Sequence, residues 1–143
     1  MSDQVLSLMI GGVLLVHGLG HGGALAALLW IRLRPGSSTG DWAAARTWLM
    51  PSLPAETAAT LASAFWIAAL VGFVLAALSF WGVVLPTDVW RSVALGSAAV
   101  SMLGVVLFLG TWPAFNTIAA LGVNVAVVVA VLIHWPPQSV FGG

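Results

Sequence analysis

Polar positions are so sparse along this chain that they act as punctuation between apolar runs. No charged residue occurs between Val5 and Ile31, between Thr57 and Thr87, or from Ser92 to the end. Each of these stretches exceeds the ~20 residues that an α-helix needs to cross the hydrocarbon of a bilayer, and the last is long enough for a helix and more. With the breaks set by proline, the pattern predicts four helical spans, over about 5–31, 56–85, 88–110 and 114–134.

The residues at the breaks agree with the helix ends they predict. Arg32 and Arg34 follow the first run, and Pro35-Gly36 stops it. Ser52, Pro54 and Glu56 precede the second span, where the unpaired N–H groups and positive dipole of a first turn favour such residues. Pro86 ends that span, and Thr87 or Asp88 is placed to cap the third. Thr111-Trp112-Pro113 makes a tight turn into the fourth, which Trp135-Pro136-Pro137 closes because proline excludes its predecessor from helical geometry. The one long connection, 35–56, contains Asp41 to Met50, which fits a short interfacial helix with Trp42, Ala45, Trp48 and Leu49 toward lipid and Arg46 toward water. Five tryptophans (Trp30, Trp81, Trp90, Trp112 and Trp135) fall at span ends and only Trp66 lies well inside one. An aromatic belt is distributed in this way, its indole rings apolar and its N–H groups among the headgroups.

The expected fold is therefore an all-α integral membrane protein, a single domain in which four transmembrane helices form an antiparallel bundle. Arginine is heaviest in the first connection (Arg32, Arg34, Arg46), which puts that connection in the cytoplasm and both termini outside.

Composition sharpens this in one respect and closes several chemistries. Hydrophobic residues make up 61% and charged residues 6%, with a mean hydropathy of +1.10, against ~25% charged residues in a soluble domain. The formal net charge is zero, so nothing in the chain resembles a nucleic-acid-binding footprint. Cysteine, lysine and tyrosine are absent, which excludes thiol, Schiff-base and tyrosyl chemistry from these residues. Asp3, Asp41 and Asp88 fall near predicted interfaces and Glu56 is the only glutamate, so neither a Ser–His–Asp set nor a carboxylate pair is expected at depth, and the chain leans away from an enzyme.

The candidate chemistry lies in the first span, in Val16-His17-Gly18-Leu19-Gly20-His21-Gly22-Gly23. Ionisable residues at membrane depth are costly unless satisfied, and each motivates a functional hypothesis. His17 and His21 are four apart and share one helix face, while Gly11, Gly18 and Gly22 line a neighbouring face that lets another backbone approach closely. At ~1.5 Å per residue, His17 lies roughly 18 Å below the outer end of span one, Asn124 roughly 15 Å below that of span four, and Ser97 and Ser101 roughly 14 to 20 Å below that of span three. A buried polar cluster of His17, His21, Ser97, Ser101 and Asn124 is predicted, because groups at that depth must find internal partners. His134 belongs to the outer end of span four, apart from it. An imidazole pair of this spacing can bind haem, a pigment or a metal ion, although it cannot supply both axial ligands of one haem; the competing reading is hydrogen bonding between helices. No metal ligand set is expected, since no Glu or Asp lies within the spans and residue 18 breaks the HExxH pattern.

The early Leu15-Val16-His17-Gly18 stretch, with four spans in about 140 residues, is similar to small bacterial membrane proteins of the DoxX-like type. That resemblance implies a bacterial inner-membrane location and an accessory role beside a larger, quinone-linked redox partner. The chain departs from the group's pattern in having His21 where a basic residue is expected after His17-Gly18, and no catalytic residue carries over. Three functions follow as expectations. The first is a non-catalytic accessory or scaffold subunit in contact with lipid and with other membrane subunits or copies of itself, holding no cofactor. The second is a haem-, pigment- or metal-binding redox protein using His17 and His21. The third is a small transporter or channel, which would need an oligomer.

Overall fold

The computed structural model describes residues 2–34, 46–136 and 140. These residues form four helices, α1 (Asp3–Leu33), α2 (Ala55–Phe80), α3 (Trp90–Leu107) and α4 (Ala114–Leu132), and no strand. Each is long and apolar enough to cross a membrane, so the chain has the make-up of a multi-pass membrane protein. At ~1.5 Å per residue the helices measure about 46, 39, 27 and 28 Å. The first two therefore exceed a hydrocarbon core of ~30 Å and must tilt or project in one.

Several ends differ from the sequence expectation. α2 stops at Phe80 rather than near Leu85, because Gly82 takes a left-handed conformation (φ 67°). The Gly82 and Val83 N–H groups then bond back to Ser79 and Leu78, which satisfies the last carbonyls of the helix. Neither Thr87 nor Asp88 caps α3. Its N-cap is Val89, which makes no side-chain capping bond and whose N–H closes a turn onto the Pro86 carbonyl. α4 ends with the same geometry as α2 but with His134 in the left-handed position (φ 54°), uncommon for a residue other than glycine. The Arg91 guanidinium, near the start of α3, donates to the carbonyls of His134 and Pro136, just past the C-terminus of α4.

The expected interfacial helix is not present over 46–50, and its first half, 41–45, lies outside the described residues, as does the Pro35-Gly36 stop. A competing interaction holds this segment: Trp48 donates its indole N–H to the carbonyl of Val106 (2.6 Å), one of the acceptors left open at the end of α3.

α2 and α3 form the centre, with α1 packed along α2 and α4 along α3. Small residues set the spacing. Ala69, Ala76 and Ala77 of α2 meet Ala94 and Ala98 of α3 around the buried rings of Phe73 and Phe80. Gly18 of α1 sits so close to α2 that an added Cβ would lie 3.2 Å from the Leu70 carbonyl oxygen and 3.3 Å from the Val74 nitrogen. Gly11 fits against the Trp81 indole and Gly22 against Leu70, so the predicted glycine face is the one α1 turns to α2. α1 and α4, the two flanks, scarcely touch.

Candidate functional site

A hydrogen-bonded chain at mid-depth joins three of the four helices. His17 Nε2 of α1 lies 2.9 Å from Asn124 Oδ1 of α4. Asn124 Nδ2 donates to Ser101 Oγ of α3 (2.8 Å), and Ser101 Oγ lies 3.0 Å from His21 Nε2, back on α1. Asn124, Ser101 and His21 are buried, whereas His17 is only partly so. α2 contributes Phe73, fully buried, whose ring packs edge-on against His17 (4.6 Å between centroids) and parallel to His21 (6.3 Å).

The Asn124 amide fixes the direction of its own two bonds. An amide oxygen only accepts, so His17 carries its proton on Nε2 and donates to Asn124. Ser101 Oγ, which already accepts from Asn124, has one proton and a second lone pair left, so it meets His21 Nε2 with either and both His21 tautomers fit the bond. Donation thus runs from His17 to Asn124 and from Asn124 to Ser101, and the chain closes on His21. An amide in the middle has no proton to pass on as a hydroxyl or an imidazole does, so the chain acts as a brace between helices rather than a proton path. Both Nε2 atoms are engaged in it, and ligation of haem or a metal through either would require the network to open.

Four of the five residues expected in the cluster are thus brought together, and Ser97 is not. Although buried, it bonds to the Val93 carbonyl of its own helix (2.7 Å) and packs against Gly72 of α2. His134 stands at the far end of α4, exposed. Among the described residues no three of His, Cys, Asp and Glu gather at one place.

What the sequence does not disclose is the space beside the network. Because α1 and α4 make little contact, a cavity of about 840 Å³ opens between them, with His17 and His21 in its lining and Trp66, Trp112, Asn116 and Thr117 toward the end where α4 begins. A second cavity of about 270 Å³ continues along the same seam toward Trp90 and Trp135, sharing Met9, Val13 and Val123 with the first. The α1 wall is a second glycine face: a Cβ added at Gly12, Gly20 or Gly23 would meet nothing within 4 Å. Ala119 and Ala120 stand on the α4 side. The helical spacing of Gly12, Gly20, Gly23, Ala24 and Ala27 was a signal for this face, but spacing alone does not say which face turns to which helix.

No family model matches the chain, and neither a curated protein nor a solved structure does. The site is therefore read from its own geometry.

Proposed function

We propose that the protein is a non-catalytic accessory or scaffold subunit of a larger membrane assembly, in keeping with the DoxX-like resemblance of its His17-Gly18 stretch. In this reading its helices cross a bacterial inner membrane antiparallel, with the first connection cytoplasmic and both termini outside. The Trp81 indole N–H bonds to the Ser7 carbonyl, so the end of α2 meets the start of α1. Arg91 at the start of α3 likewise reaches the end of α4. Both contacts favour an antiparallel order.

The observation that carries the reading is the bracing network itself. The polar groups at depth hold one another across α1, α3 and α4, as groups that maintain a scaffold do. Bulky apolar residues remain on the outer face of α4, where Phe115 is 79% and Ile118 69% exposed, surface suited to lipid or to another subunit. The test is purification from the native membrane in mild detergent, paired with deletion of the chain. The expected result is a larger membrane protein in fixed stoichiometry, whose level falls in the deletion. A chain that elutes alone, with all larger complexes unchanged by its deletion, would sink the proposal.

A second reading, binding of a chromophore or metal, is favoured by one observation, that both histidine rings line the cavity. Visible absorption and metal analysis of the wild type beside His17→Ala and His21→Ala decides it. A bound group lost in either variant supports the second reading; a colourless, metal-free wild type rejects it.

A further inference from the structure

We propose that the α1–α4 seam holds a neutral, mainly hydrocarbon molecule carrying one hydroxyl group, seated with that hydroxyl at His17 and His21 and its body along the glycine wall of α1. This goes beyond the subunit reading and does not depend on it.

Width argues for a thin occupant. The His17–Asn124 bond spans the seam with two side chains end to end. A helix lying between α1 and α4 would need an axis separation of roughly 8–10 Å from each, which parts that bond. A hydrocarbon chain passes beside it. Volume agrees, since 840 Å³ lies within the ~300–1,000 Å³ of small-molecule sites. The bare positions at Gly12, Gly20 and Gly23 supply much of that room.

Polarity then selects the chemistry. The deep polar feature of the seam is the histidine pair, and a phospholipid, with its polar head at the interface, would present only hydrocarbon there. The network leaves one nitrogen on each ring without a partner in it. His17, protonated on Nε2, keeps an acceptor at Nδ1; His21, engaged at Nε2, keeps Nδ1 as a donor in one tautomer and an acceptor in the other. The ring centroids are 5.1 Å apart. A hydroxyl donates to His17 Nδ1 and can accept from His21 when its Nδ1 is protonated, so it answers the pair in either tautomer. A carbonyl cannot answer His17, and an alkane answers neither ring.

The full-length protein in mild detergent is photolabelled with a hexadecanol bearing a diazirine and an alkyne, alongside hexadecane and palmitic acid analogues carrying the same tags. Labelled positions are mapped by mass spectrometry. The alcohol is expected to label α1 and α4 along the seam at least about fivefold more than the alkane, the equivalent of roughly one hydrogen bond. Gly20→Leu and Ala120→Leu, which fill the seam from opposite walls, should each abolish labelling while preserving elution volume. His21→Phe should lower the alcohol's preference over the alkane. Equal labelling by alcohol and alkane, preference for the acid, or labelling that survives both filled variants would overturn the proposal.

Discussion

α1 carries two glycine faces, and they do opposite things. Gly11, Gly18 and Gly22 press into α2, at Gly18 to within van der Waals reach of its backbone, whereas Gly12, Gly20 and Gly23 face open space. On one face the missing side chain allows two helices to approach; on the other it keeps a wall thin. A glycine repeat in a membrane span is thus ambiguous by itself, and what distinguishes the cases is the atom that a Cβ would meet.

Substitutions on the two faces should separate them. Gly18→Leu is expected to have the largest effect, since its side chain would enter the α2 backbone: overpacking of this kind costs about 3 kcal/mol, read as a lower midpoint in denaturing detergent. An intermediate loss, about 1–2 kcal/mol, is expected for Asn124→Leu, which removes the link that α4 makes to α1 and α3 and leaves His17 and Ser101 without their shared partner. The smallest effect belongs to Gly20→Ala, where nothing resists the methyl group; helix propensity predicts unchanged or raised stability, by at most about 1 kcal/mol. If Gly20→Ala destabilised the chain as much as Gly18→Leu, the contrast between the faces would be lost.

The spans were legible because so few charges interrupt them, and α4 begins at Ala114, where Pro113 placed it. The early end of α2 has a signal in the sequence too: Gly82 after Trp81 is a usual helix stop, which ending the span at Pro86 passes over. Depth arithmetic was sufficient to bring His17, His21, Ser101 and Asn124 to one level. It could not separate Ser97 from Ser101, which are one turn apart on the same face; that depends on Gly72 of α2, where Ser97 fits. The seam lay beyond sequence reading because it reflects which helix pairs fail to pack. A hydropathy pattern gives each helix an inside and an outside but not a neighbour.

The His17–Asn124 bond joins residues 107 positions apart, which has a consequence for how the chain is made. During synthesis α1 is complete long before Asn124 exists; at ~5–20 residues per second the delay is on the order of 5–20 s. Through that interval His17 lacks its final partner, and the seam has only one wall. α4 is therefore the helix that closes the structure, and any molecule lodged between the flanks either arrives before its insertion or enters sideways afterwards.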